Sequence, residues 1–284
     1  TFTISSSRQP SPSPEILTVV IAVWAGSVFT MSELMAILSP AKSMEMEHPT
    51  DGIMTSKTRL QAQTKELAGL LQAHSARKLQ SLMSISEKLA DLNADRWQKF
   101  NTRSNPKGPA AFCFRGDVYQ GLGAWTLDKK SLAWAQDHIR ILSGLFGLLR
   151  PLDSIQPYRL EMKTSLKTRS GKDLYTFWGN SITQLLRKDI CNQGVDTLVN
   201  LASDEYSRAL DMDALDVRII QTRFLQIDQG KAKFISFYAK QARGLLARWM
   251  AIHRPKQTAN LKGFNLEGYC LNQDESRDDL FIFT

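Results

Sequence analysis

Short apolar runs that end in charged loops, with longer amphipathic stretches between them, constrain this chain more than any other feature. Ala36–Ser39 leads into Ser39-Pro40-Ala41-Lys42, Ala111–Phe114 into Arg115-Gly116-Asp117, and Thr197–Ala202 into Ser203-Asp204-Glu205. Val217–Leu225, Lys233–Phe237 and Leu280–Phe283 are further strand candidates, bounded by Gly, Pro or charged residues. Residues 57–72, 86–100, 131–143, 173–190 and 238–252 instead carry apolar side chains at three- and four-residue spacing, which lines one face of a helix. Strands alternating with helices, without an internal repeat, predict an α/β (mixed α+β) fold: a single compact domain with a central mixed sheet flanked by helices. Ligand sites in such sheets form beyond the carboxyl ends of strands, so the three charged loops are expected to meet on one edge.

Composition adds the sign of the partner. Lysine and arginine total 36 against 28 acids in 284 residues, and residues 1–30 contribute only Arg8 and Glu15, so the +8 belongs to the rest. Such an excess favours nucleic acid or another phosphate-rich partner. Cys113, Cys191 and Cys270 are far apart with no C-x-x-C pair, as expected of free thiols in a reducing compartment. His48, His74, His138 and His253 are equally scattered, so neither a metal nor a cofactor is expected. Thr1–Pro14 is rich in serine and proline, and Ile16–Phe29 is an apolar run of 14 residues, too short for an ordinary membrane span. It matches the apolar region of a signal peptide, but only Arg8 precedes it and position 1 is not Met. Residues 1–30 therefore read as a leader outside the working protein, and 31–284 as the domain, with no membrane partner.

Two segments gather cations. In the helix expected after Phe234, Tyr238, Ala242, Leu245, Trp249 and Ile252 share one side, while Lys240, Arg243, Gly244, Ala247 and Arg248 share the other. Small residues between cations would let a phosphate backbone approach closely. From Ile139 to Met162, Gly144 and Gly147 bracket two apolar residues ahead of Pro151, a layout expected for two helices joined by a tight glycine turn that offers N–H groups to phosphates. The glycines are three apart where the usual hairpin has them two apart, and close helix packing explains them about as well. Arg140, Arg150, Arg159 and Lys163 lie near this turn. Asp117, Asp204, Glu205 and Glu161 could bind Mg²⁺ or act as general acid and base, or simply hold neighbouring arginines. Ser39 and Ser203 have no histidine at a spacing that marks a nucleophile.

From Met35 to Phe283 the chain resembles the YaaA family of peroxide stress proteins. The resemblance rests on Leu38-Ser39-Pro40-Ala41-Lys42, Phe114-Arg115-Gly116-Asp117-Val118-Tyr119 with Gly121-Leu122, the Leu142–Met162 stretch, and Gly171-Lys172-Asp173-Leu174-Tyr175 with Phe177-Trp178-Gly179. Asn200–Tyr206, Ile235–Gly244 and Gly268-Tyr269 complete it. It implies a bacterial cytoplasmic protein, a distinctive single-domain fold with a basic cleft and a helix-hairpin-helix-like element, DNA binding, and a role in limiting damage by hydrogen peroxide and free iron. Arg115 stands where the family more often has lysine, and Arg208 ends a stretch often closed by lysine. Both keep the charge, and arginine adds bidentate phosphate contacts.

The resulting expectation is a DNA-binding protein, monomeric, with little sequence preference. Its grip is assigned to Lys42, Arg115, Arg140, Arg150, Arg159, Lys163, Lys172, Arg208, Lys240, Arg243 and Arg248, with Gly144 and Gly147 at the turn. Tyr119, Tyr158, Tyr175 and Tyr206 are candidates for stacking on bases. The alternative is an enzyme acting on nucleic acid or on a small phosphorylated substrate, with Asp117 and Glu205 in the cleft and Asp204 as a further candidate acid. A long open groove favours the first, and a closed pocket with an acid beside a lysine favours the second.

Overall fold

Leu34 to Leu38 are each fully buried, so the strand that holds them must be covered on both faces. In the computed structural model, which describes residues 33–47 and 52–284, that strand is central. The expected leader and His48 lie outside the described residues. Six strands form the main sheet: β1 (Glu33–Leu38), β2 (Ile139–Ser143), β3 (Gly147–Leu149), β4 (Val195–Leu201), β5 (Arg218–Phe224) and β6 (Leu280–Phe283). Their order is β6-β5-β4-β1-β2-β3. All neighbouring pairs are parallel except β2 with β3. Ala36 pairs with Ile139 on one side and Val199 on the other. The mixed α/β class and the single compact domain are as the sequence predicts.

The helix Ser236–His253 packs on β4 and β5, Lys129–His138 on β1 and β2, and Ser181–Gln193 on β3 and β4. The helix Asp117–Leu122 lies against Ser236–His253 without its own side chains keeping the two apart. A Cβ on Gly121 would stand 2.2 Å from the Gln241 carbonyl oxygen, and one on Gly244 would stand 1.8 Å from that of Val118. The small residues between Lys240, Arg243 and Arg248 thus admit a second helix, not a phosphate backbone. Gly244 and Ala247 are buried, while Tyr238 and Ile252, expected on the apolar face, are 46% and 41% exposed.

Several elements differ from expectation. Ala111–Phe114 is not a sheet strand: Ala110–Cys113 is a helical turn, and Phe114–Arg115 forms a short antiparallel ladder with Ser43–Met44. Residues 233–237 split between the end of a hairpin (Gln226–Asp228 with Lys231–Lys233) and the start of the Ser236 helix. The segment 173–190 is two helices, Leu174–Trp178 and Ser181–Gln193, broken where Gly179 takes a φ of 44°. The helix expected over 131–143 stops at His138, because the β-branched, apolar Ile139–Ser143 run fits between two strands. Ser143–Gly147 is consequently the turn of a β2–β3 hairpin, and the glycine turn joins strands, not helices.

Candidate functional site

Leu38 and Leu201 are register partners at the carboxyl ends of β1 and β4, so the residues that follow them leave the sheet side by side. Ser39 Oγ accepts the Ser203 backbone N–H at 2.9 Å and lies 3.1 Å from Ser203 Oγ. The third loop comes from another layer. The ladder between Ser43–Met44 and Phe114–Arg115 ties Arg115-Gly116-Asp117 to the loop after β1, and the Tyr119 hydroxyl donates to the Ser39 carbonyl at 3.0 Å. The three charged loops therefore meet on one edge, although one of them does not follow a sheet strand. With Glu161 from the Leu142–Met162 stretch and Lys240 and Arg243 from the long helix, they enclose a cleft of about 350 Å³.

Charges in the cleft are of both signs. Glu161, 6% exposed, accepts from Arg159 Nη2 at 2.9 Å and faces Lys42 Nζ at 3.4 Å. Glu205 accepts the Lys163 backbone N–H at 3.3 Å and has that residue's Nζ at 3.9 Å. Arg115 Nε donates to Glu45 at 2.7 Å, and its guanidinium lies 4.6 Å from the Trp125 ring centroid. Arg243 differs from these. Its Nε is buried without an acceptor, and among the described residues it forms neither an ion pair nor a hydrogen bond. Burial pulls its pKa below the usual arginine value, and the field of Asp204 offsets part of that. A guanidinium still remains charged. Arg243 is therefore a poorly solvated cation in the wall of a cleft, with donors to spare.

Of the sequence candidates, Lys42, Arg115, Lys240 and Arg243 line the cleft together with Asp117 and Glu205. Arg159 and Lys163 touch it through Glu161 and Glu205. Arg208 is exposed over the Tyr175 ring at 5.2 Å, and Tyr175 donates to the Glu205 carbonyl at 2.8 Å. Asp204 is exposed at the rim helix, and Lys172 is exposed but does not line the cleft.

The remaining candidates are buried or have partners within the protein. Arg140 is 2% exposed and donates to Asp189 at 2.5 Å, with Arg59 on the same carboxylate at 2.7 Å. Arg150 chelates the fully buried Asp153 through Nε and Nη2. Arg248 caps the Asp117–Leu122 helix by donating to the Leu122 and Gly123 carbonyls. Gly144 and Gly147 are buried: a Cβ on the first would meet the Leu160 carbonyl at 2.4 Å, and one on the second would meet Leu60 and Trp178. Neither can offer its backbone to a phosphate. Tyr119, Tyr158 and Tyr206 are 1%, 4% and 8% exposed, which leaves Tyr175 alone of the four with an accessible ring. Sequence reading overlooked the strip Phe234, Phe237 and Tyr238, 63%, 55% and 46% exposed, next to Lys240. Its signal was the Phe-Ile-Ser-Phe-Tyr run, read as a strand leading into the helix.

The sheet is mostly parallel, and charged loops meet beyond two of its carboxyl ends, the place where ligand sites form in open α/β sheets. Comparison with known families is specific. Residues 34–275 match the family model described as peroxide stress protein YaaA, and the chain belongs to that family. A UPF0246 protein of Phenylobacterium zucineum is 48% identical over 250 residues, covering 88% of this chain and 94% of the relative. UPF0246 proteins of Methylibium petroleiphilum and Idiomarina loihiensis are 44% and 45% identical over 253 residues, each covering 88% of this chain and 98% of the relative. Family membership supports a role in peroxide stress. No helix among the described residues is long and apolar enough to cross a membrane.

Proposed function

We infer that the protein binds DNA through phosphate contacts in and around this cleft, largely without regard to sequence, as part of a cytoplasmic response that limits peroxide damage promoted by free iron. The observation that carries the reading is the meeting of Lys42, Arg115, Lys240 and Arg243, from three separate segments, with Arg243 left without a hydrogen-bond or ion-pair partner among the described residues. Lys163 and Arg208 extend the cationic rim. Contacts of this kind release counterions, so affinity for unrelated duplexes should fall steeply and alike as salt rises. Replacing the exposed Lys42 and Lys240 together by glutamine should make the log–log salt slope shallower by about two. Binding that is absent at low salt, or a slope unchanged in the double variant, counts against the reading.

A second reading has its own support. Asp117 lines the cleft and has no cation partner among the described residues, unlike Glu161 and Glu205. An unpaired carboxylate beside lysine and arginine suits an enzyme acting on a phosphate ester, with Asp117 as the base. Asp117→Asn separates the two. It should strengthen DNA binding modestly if the cleft only binds, and abolish turnover of a phosphorylated substrate if it catalyses.

A further inference from the structure

We propose that the interior of the cleft seats a single nucleotide unit by its phosphomonoester, with Arg243 on the phosphate, so that it takes a free nucleotide or the phosphorylated end of a strand, while the flank of a duplex meets only the exposed cations around its mouth. The proposal rests on reading the cleft as a phosphate site and adds which form of phosphate it accepts.

Size is the first argument. About 350 Å³ falls at the low end of the range of small-ligand sites, roughly 300–1,000 Å³, and a duplex cannot enter it. Charge is the second. Each of Glu161 and Glu205 already has its own cations, Arg159 with Lys42 and Lys163 respectively. Arg115 is shared with Glu45. What remains on the cationic side is Arg243 with exposed Lys240 three residues away on the same helix face, and a doubly charged terminal phosphate matches that pair better than the single charge of an internal phosphodiester. Hydroxyl donors are the third. Ser39 and Ser203 are fixed side by side at the strand ends, 3.1 Å apart, on the lining of the same cleft. Val118, Pro40 and Ala41 supply an apolar wall for a sugar or base.

The test uses the full chain and four probes: deoxyadenosine 5′-monophosphate, inorganic phosphate, a single-stranded oligonucleotide with a 5′-phosphate, and the same strand with a 5′-hydroxyl. A duplex closed by loops at both ends serves as a fifth. The 5′-phosphorylated strand should bind about tenfold more tightly than the hydroxyl strand, and the monophosphate should compete for that advantage. Arg243→Met should erase the advantage, Arg243→Lys should keep part of it, and the closed duplex should change little in either. Folding offers an independent readout, since removing a largely buried charge that has no ion-pair partner among the described residues should leave the denaturation midpoint unchanged or raised. If Arg243→Met unfolds, Lys240→Gln, on an exposed side chain, must reduce the same advantage. Equal affinity for the two strands, with no effect of the monophosphate, overturns the proposal, and the closed duplex then tests DNA binding separately. Monophosphate binding that depends on Arg243, with no nucleic acid bound, removes the DNA reading and leaves the seat standing. Inorganic phosphate competing as well as the monophosphate would reject a nucleotide in favour of a bare anion.

Discussion

Gly244 approaches Val118 so closely that a methyl group on its Cα would lie 1.8 Å from the Val118 carbonyl oxygen. The contact clamps the helix that carries Lys240 and Arg243 to the one that begins with Asp117. In an exposed helix, glycine to alanine is ordinarily favourable by up to about 1 kcal/mol. Here the opposing atom is backbone and cannot rotate away, so Gly244→Ala should cost about 3 kcal/mol, the upper end for overpacking. Gly69, in the Gln61–Gln72 helix with open space around it, is the internal control, and Gly69→Ala should stabilise by about 0.5–1 kcal/mol. Urea denaturation of both variants checks the pair, and similar midpoints for the two would mean that the helix crossing is not as tight as it stands.

Asp189 is the only carboxylate within ion-pair reach of Arg140 among the described residues, and it is shared with Arg59. Asp189→Ala would strand a guanidinium that is 2% exposed, at a cost of about 3–5 kcal/mol. The salt dependence of any DNA binding should stay as it was, measured on protein kept well below its melting temperature. A shallower slope would return Arg140 to the binding surface.

His138 gives a dependence on pH. It is stacked on Trp134 at 4.5 Å, lies 3.6 Å from Glu33, and also feels Asp137 and Arg140. Burial is the largest influence and holds its pKa below the usual 6.5, with Arg140 acting in the same direction and the two acids against it. The unfolded chain therefore takes up this proton at a higher pH than the folded one. Stability is undiminished above the unfolded value and falls as pH drops through 6.5 toward the folded value. Denaturation midpoints at about pH 7.5 and 5.5 should differ less in His138→Phe than in the parent chain.

The thiols differ in the same way. Cys113 is 2% exposed, and burial pushes its pKa up to about 12, while Cys191 and Cys270 are exposed. Only the thiolate reacts appreciably. Titration with a disulfide reagent near pH 8 should thus find two fast thiols in the native protein and the third only after unfolding. Three fast thiols would show that the Ala110–Cys113 turn opens readily.

How much of this was legible in the sequence depended on what each signal measures. Apolar periodicity located β1, β4, β5 and β6 and most of the long helices, because burial on one or both faces leaves a period in the chain. It failed at Ile139–Ser143, where an apolar run directly continues a helical pattern and only the neighbouring strands decide between the two. Charged loops after apolar runs brought Ser39–Lys42, Arg115–Asp117, Ser203 and Glu205 together, although one of those runs is not a sheet strand. Proximity in sequence did not reveal the internal partners of Arg140, Arg150 and Arg248, because whether an arginine meets solvent or a buried carboxylate depends on Asp189, Asp153 and helix ends that are distant or unmarked. The glycines misled for a related reason: they signal that something comes close, and the visitor was Leu160, Trp178 or another helix.

The position of β1 in the sheet bears on how the chain is made. Its register partners are Ile139–Ile141 on one side and Val195–Leu201 on the other, so the first strand described is flanked only by segments more than a hundred residues later. At about 5–20 residues per second of synthesis, β1 waits several seconds or more after leaving the ribosome with both edges and the apolar run Leu34–Leu38 uncovered. Charged surface elsewhere in the finished protein does nothing to shield that run during the interval.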